Sequence, residues 1–80
     1  MAVKVVVLGA AGRMGKALIR CILEEKVPGL ELHGAVDLWD APELGKDAGR
    51  MAGSKEAGIK LINNLEYLSI RNKPLEIISF

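Results

Sequence analysis

Between residues 3 and 25 the chain passes from an apolar, β-branched run, through three evenly spaced glycines, into a helix pattern. Few folds accommodate that succession. Val3-Lys4-Val5-Val6-Val7-Leu8 is nearly all apolar, as a strand buried on both faces must be. Gly9-Ala10-Ala11-Gly12-Arg13-Met14-Gly15 follows directly. The helix pattern then runs from Arg13 to Glu25, with Met14, Leu18, Cys21, Ile22 and Glu25 on one side and Ala17 and Ile19 widening it; Pro28-Gly29 is expected to end it.

Leu30 to Val36 reads as a second strand closing on Asp37. Strand, helix and strand in so short a span make one βαβ unit, and two parallel strands joined by a crossover. Beyond Asp37 the pattern weakens. Ala41 to Ser54, with three glycines and a proline, is expected to be loop with one short helix around Lys46 to Ala52. Ile59 to Ile62 is a short strand candidate, Asn64 to Ile70 a short helix, and Leu75 to Phe80 a last strand after the Asn72-Lys73-Pro74 break. The fold class is therefore α/β, a Rossmann-like parallel sheet in the order 3-2-1-4, forming the N-terminal part of a doubly wound dinucleotide-binding domain. A last strand beside the first would leave one apolar edge open, which points to a longer protein or a partner chain.

The glycine turn carries the chemistry. Gly9 allows the tight exit from the strand, Gly12 removes a side chain where backbone approaches a pyrophosphate, and Gly15 lets the helix pack closely. The free N–H groups of the first helical turn then face an anion, helped by the helix dipole. The spacing is G-x-x-G-x-x-G, and Asp37 stands 22 residues beyond Gly15, where an acid accepts from the adenosine ribose hydroxyls. The candidate cofactor residues are therefore Gly9, Ala10, Ala11, Gly12, Arg13, Met14, Gly15 and Asp37. Arg13 reads as a cation beside the phosphate site in preference to a solvated first-turn residue. A P-loop is excluded, because no Gly-Lys-Ser/Thr follows.

Composition narrows the classes. A net charge of +1 without basic blocks and an aromatic content of 4% argue against nucleic-acid partners. The first apolar run is too short to span a bilayer and lacks a signal-peptide cleavage site, so no membrane is implied and a cytoplasmic location is expected. One cysteine, Cys21, permits neither an internal disulfide nor a cysteine-built metal site; it reads as a small buried hydrophobe. No metal ligands and no catalytic residue are assigned. His33, the sole histidine, has no paired acid or nucleophile nearby and reads as a strand residue. Trp39 is either an adenine platform or an exposed loop aromatic, and Lys46 and Asp47 read as caps of the short helix.

Val-Val-Leu-Gly-Ala-Ala-Gly-Arg-Met-Gly-Lys (6–16), Gly-Ala-Val-Asp (34–37) and Leu-Gly-Lys-Asp-Ala-Gly (44–49) resemble the N-terminal domain of dihydrodipicolinate reductase, also called 4-hydroxy-tetrahydrodipicolinate reductase. The closing Ile-Ile-Ser-Phe resembles that family's fourth-strand motif, with Ser79 where Asp is usual. The resemblance implies an oxidoreductase of the diaminopimelate route to lysine, moving hydride from NADH or NADPH to a cyclic dihydrodipicolinate-type substrate. It further implies that residues 9–14 hold the pyrophosphate, that Asp37 holds the adenosine ribose and that Phe80 lies near the nicotinamide. Many members carry Arg after the ribose acid, where it meets the 2′-phosphate of NADPH. Leu38 stands there, so NADH is favoured unless Arg13 or Lys46 compensates.

The resemblance places the substrate domain and the catalytic residues beyond residue 80. On that reading the 80 residues are one incomplete dinucleotide-binding domain, inactive alone, meeting its small-molecule substrate only with the missing part, and the family resemblance implies a homo-oligomer. The alternatives are a stand-alone nucleotide-binding module and a non-catalytic truncated fragment of another Rossmann reductase.

Overall fold

A computed structural model of the chain describes residues 3–63 and, as backbone, 75–79. The apolar run forms β1 (Val3–Leu8), the amphipathic stretch α1 (Arg13–Leu23), and the second apolar run β2 (Leu30–Val36). A short helix α2 (Ala48–Met51), a two-residue β3 (Leu61–Ile62) and β4 (Leu75–Ser79) follow. All pairings in the sheet are parallel, in the order β3-β2-β1-β4. That is the expected Rossmann-like arrangement. It places the C-terminal ends of β1, β2 and β3 along one rim, where ligands bind in open α/β sheets. The helix expected over 64–70 and Phe80 lie outside the described residues.

One face of the sheet holds the core. Val5, Val7, Leu32, Ala35 and Leu61 from the strands meet Ile19 and Ile22 of α1 and Ala48 and Ala52 of the α2 segment. The helix face differs from the one read in the sequence. Gly15, Ile19 and Ile22 are buried, Leu18 and Leu23 pack partly against the core, Cys21 is only half-buried, and Met14 is 62% exposed. The reason is how the helix is turned: the backbone of Gly9 and Ala10 seats Gly15, the next residue of the same first turn, and Met14 then faces solvent.

The helix also ends earlier than Pro28-Gly29 suggests. Glu25 adopts φ 58, its N–H donates to the Ile22 carbonyl at 3.2 Å, and the Lys26 N–H donates to the Cys21 carbonyl at 3.0 Å. These two bonds make a Schellman cap with a glutamate in the left-handed position usually given to glycine. β2 carries an irregularity: Val5 pairs with Leu32 and Val6 with Gly34, so His33 is the extra residue of a bulge.

α2 is held by its own cap. The Asp47 carboxylate accepts N–H bonds from Arg50 (3.1 Å), Ala57 (2.9 Å), Gly58 (2.8 Å) and Ile59 (3.2 Å). One side chain thus caps α2 and folds the following loop back toward β3. Partial burial pushes the Asp47 carboxyl up, but the bonds from Ala57, Arg50, Gly58 and Ile59 outweigh it and hold the group below its ordinary value. Gly49 makes the fold-back possible: a Cβ there would collide with the Lys55 carbonyl oxygen and sit 3.0 Å from the Ala57 nitrogen.

Candidate functional site

The turn between β1 and α1 is built almost wholly from backbone. Gly9, at φ 77, turns the chain out of β1, and the N–H groups of Gly9 and Ala10 both donate to the Val36 carbonyl, at 2.8 and 3.1 Å. The Gly12 N–H closes the turn onto the Gly9 carbonyl at 3.1 Å. Gly12 is exposed and caps α1 without any side-chain hydrogen bond, and the first turn of α1 carries no acid. The first intrahelical-type bond runs from the Lys16 N–H to the Gly12 carbonyl at 2.9 Å. Among the described residues, therefore, the amides of Arg13, Met14 and Gly15 have no acceptor, as the first N–H groups of an uncapped helix must.

Gly15 fixes how closely helix and turn approach. A Cβ at this position would strike the Gly9 carbonyl and lie 2.7 Å from Ala10 Cα and 2.9 Å from the Ala10 carbonyl oxygen. At Gly12 a Cβ would stand 3.3 Å from the Gly9 carbonyl oxygen, on the exposed side of the turn. Three free amides, a dipole end and a surface without side chains make a cradle that accepts an anion. Arg13 and Met14 flank it, both exposed.

Asp37 stands at the end of β2 directly beside this turn. Its Oδ2 accepts the Ala11 N–H at 2.7 Å and its Oδ1 the Leu38 N–H at 2.7 Å. Its own N–H donates to the Ile62 carbonyl at 3.0 Å. Leu8, Gly9, Val36, Asp37, Leu38, Trp39 and Asn63 line a cleft of about 550 Å³ over the ends of the three strands. That volume lies within the range of small-ligand sites. Leu38 is 70% and Trp39 79% exposed, two large apolar side chains beside one carboxylate. Asn63 went unremarked in the sequence, because only the parallel pairing of β3 with β2 brings it there.

The eight candidate residues thus occupy one rim, with Gly9 to Gly15 on the turn and Asp37 at its side. The two cations weighed as compensators lie elsewhere or point to solvent. Lys46 lines a separate groove with Glu43, Asp47, Arg50 and Met51, and Arg13 is exposed. Lys16 is ion-paired to Glu43 at 3.4 Å. Among the described residues no group of three or more His, Cys, Asp or Glu side chains could hold a metal ion, and no helix is long and apolar enough to cross a membrane.

A parallel sheet in this order, with a glycine turn feeding a helix and an acid closing the second strand, defines a Rossmann-like dinucleotide-binding unit. The match to known proteins is specific. The family model described as "Dihydrodipicolinate reductase, N-terminus" matches residues 3–77, and the chain belongs to that family. It is 45% identical over 62 residues to the 4-hydroxy-tetrahydrodipicolinate reductase of Anaeromyxobacter dehalogenans strain 2CP-C, covering 78% of this chain and 22% of the relative. To the enzyme of the same name from Sinorhizobium medicae it is 42% identical over 73 residues, 91% of this chain and 23% of the relative. To 4-hydroxy-tetrahydrodipicolinate reductase 1 of Mesorhizobium japonicum it is 58% identical over 48 residues, 60% of this chain and 17% of the relative. The chain thus spans less than a quarter of the length of these relatives.

Proposed function

We propose that this chain is the cofactor-binding part of a 4-hydroxy-tetrahydrodipicolinate reductase of lysine biosynthesis, and that it favours NADH over NADPH. The observation that carries the reading is the juxtaposition of three unpaired amides at the start of α1 with the carboxylate of Asp37, in a chain belonging to this family. A bound nicotinamide cofactor supplies hydride; the residues here bind and orient it. The amides of Arg13, Met14 and Gly15 take the pyrophosphate, with Gly12 leaving room for its approach. The carboxylate of Asp37 accepts from the adenosine ribose diol, and Leu38 and Trp39 border the adenine side of the cleft.

The preference for NADH rests on how Asp37 is held. A flexible acid turns away from a 2′-phosphate, whereas this one is tied at both oxygens by 2.7 Å bonds. Leu38 offers no cation, and Lys46 faces another groove. A 2′-phosphate would therefore meet a fixed negative charge, which the exposed Arg13 on the glycine turn offsets at most in part. Substrate binding and proton delivery belong, on this reading, to a domain beyond these 80 residues, so the chain by itself is expected to bind cofactor and not to turn over substrate.

Calorimetric titration of the 80-residue chain with NADH and with NADPH tests the reading. Saturable binding at least tenfold tighter for NADH, about 1.4 kcal/mol, is the expected result. Tighter binding of NADPH contradicts the role given to Asp37 and Leu38. No binding of either by a folded chain contradicts the site itself.

A further inference from the structure

Asp37 makes attachments that recognition of a ribose does not require. Its Oδ2 accepts the Ala11 N–H from 26 residues away, and its backbone N–H reaches the Ile62 carbonyl. One residue therefore ties the turn after β1 to the ends of β2 and β3. The other turn amides are held by backbone: Gly9 and Ala10 by the Val36 carbonyl and Gly12 by the Gly9 carbonyl. Ala11, in the middle of the turn, is the one held by a side chain. Among the described residues no side chain caps α1.

We propose that Asp37 is the positioning residue of the glycine turn: by holding the Ala11 N–H, its carboxylate sets the direction of the Arg13, Met14 and Gly15 amides, whether or not a ribose is bound. This rests on the reading of the turn as a pyrophosphate site. An ionised carboxylate offers about four lone-pair positions, and the two amides use two, which leaves room for a vicinal diol on the same group. The adenosine half and the pyrophosphate half of a dinucleotide thus share one anchor. A ligand without any ribose should still feel the loss of Asp37.

Electrostatics alone argues the opposite, which makes the proposal testable. Removing a negative charge beside an anion site strengthens anion binding. A carboxylate that only reads ribose would therefore leave inorganic pyrophosphate unaffected or bound more tightly when replaced by alanine. A carboxylate that holds the turn would weaken it.

The experiment uses the ¹⁵N-labelled chain and its Asp37→Ala and Asp37→Asn variants, titrated with inorganic pyrophosphate and followed at the amides of Arg13, Met14 and Gly15. Hydrogen exchange of the Ala11 amide is measured in each free protein, with the core amides of Val5 and Ile22 as controls of folding. Asp37→Ala is expected to weaken pyrophosphate at least fivefold and to speed Ala11 exchange at least tenfold, with the core amides unchanged. Asp37→Asn removes the charge but keeps one acceptor oxygen. It is expected to bind pyrophosphate at least as well as the wild type and to protect Ala11 to an intermediate degree.

Equal or tighter pyrophosphate binding by Asp37→Ala, with Ala11 exchange unchanged, overturns the proposal. If Asp37→Ala loses its core protection, Asp37→Asn decides: Ala11 left unprotected while pyrophosphate binds as tightly as to the wild type, or more tightly, overturns it as well. Failure of the wild type to bind pyrophosphate or NADH refutes the phosphate-site reading and the functional part of the proposal together. The exchange of Ala11 then still shows whether Asp37 holds the turn.

Discussion

Replacing Asp47 with alanine removes the most heavily bonded side chain among the described residues. Four backbone N–H groups lose their acceptor. Those of Arg50 and Gly58 are solvent-exposed and rehydrate, so their loss costs a few tenths of a kcal/mol each beyond the cap itself. Those of Ala57 and Ile59 are partly buried, and each unsatisfied amide costs about 1 kcal/mol. With about 1 kcal/mol for the loss of the α2 cap the sum is about 3–4 kcal/mol. A chain of 80 residues has a total stability of about 4–12 kcal/mol, so the change is large. In urea, with a slope of about 1 kcal/mol/M, the midpoint should fall by about 3–4 M.

Acid supplies the complementary test. The folded-state value of Asp47 lies below its unfolded value. The contribution is therefore complete above the unfolded value and is lost as pH falls through the folded one. Asp47→Asn does not titrate, so the stability gap between wild type and this variant should be widest near neutrality and close in acid. Urea unfolding followed by far-UV circular dichroism across this range measures both effects. A change below about 0.5 kcal/mol for Asp47→Ala, or a gap to Asp47→Asn that stays flat with pH, would refute the reasoning.

Gly15→Ala should destabilise the chain by about 3 kcal/mol, because the colliding atoms are backbone of Gly9 and Ala10 and cannot yield cheaply; thermal unfolding measures it. Glu25→Gly should stabilise it by about 0.5–1 kcal/mol, since glycine adopts the φ 58 of the Schellman cap without strain; a lower unfolding midpoint would show that the glutamate side chain contributes something the cap geometry does not explain. Leu38→Arg should raise NADPH affinity at least tenfold while changing NADH affinity little, read by calorimetry, because it places a cation where a 2′-phosphate meets Asp37.

Local signals made much of this legible in the sequence. β1 and β2 begin and end where their apolar runs do, and a glycine turn between them leaves few alternatives to a parallel pair. The order of the sheet, with β4 beside β1, followed from the dinucleotide-binding pattern. The end of α1 was not legible, because its terminator is Glu25, a residue with no propensity for a left-handed cap. The buried side of α1 was misplaced by one residue step, since Gly15, which seats the helix on the turn, adds nothing to an apolar stripe. The role of Asp47 was visible only as a cap. Its bonds to residues 57–59 depend on a fold-back that Gly49 permits, and nothing in local spacing announces it. At the rim, Asp37 and the glycines announced themselves by type and order, whereas Asn63 arrives through the pairing of β3.

The central claim is that the glycine turn and Asp37 form one nucleotide site. Mapping amide shifts of the ¹⁵N-labelled chain on addition of NADH tests it most directly. The largest shifts are expected at Ala11, Arg13, Met14, Gly15 and Leu38, with Trp39 and Asn63 next and the Glu43–Lys46–Arg50 groove unmoved. Shifts centred on that groove, or none at the turn of a folded chain, would contradict it.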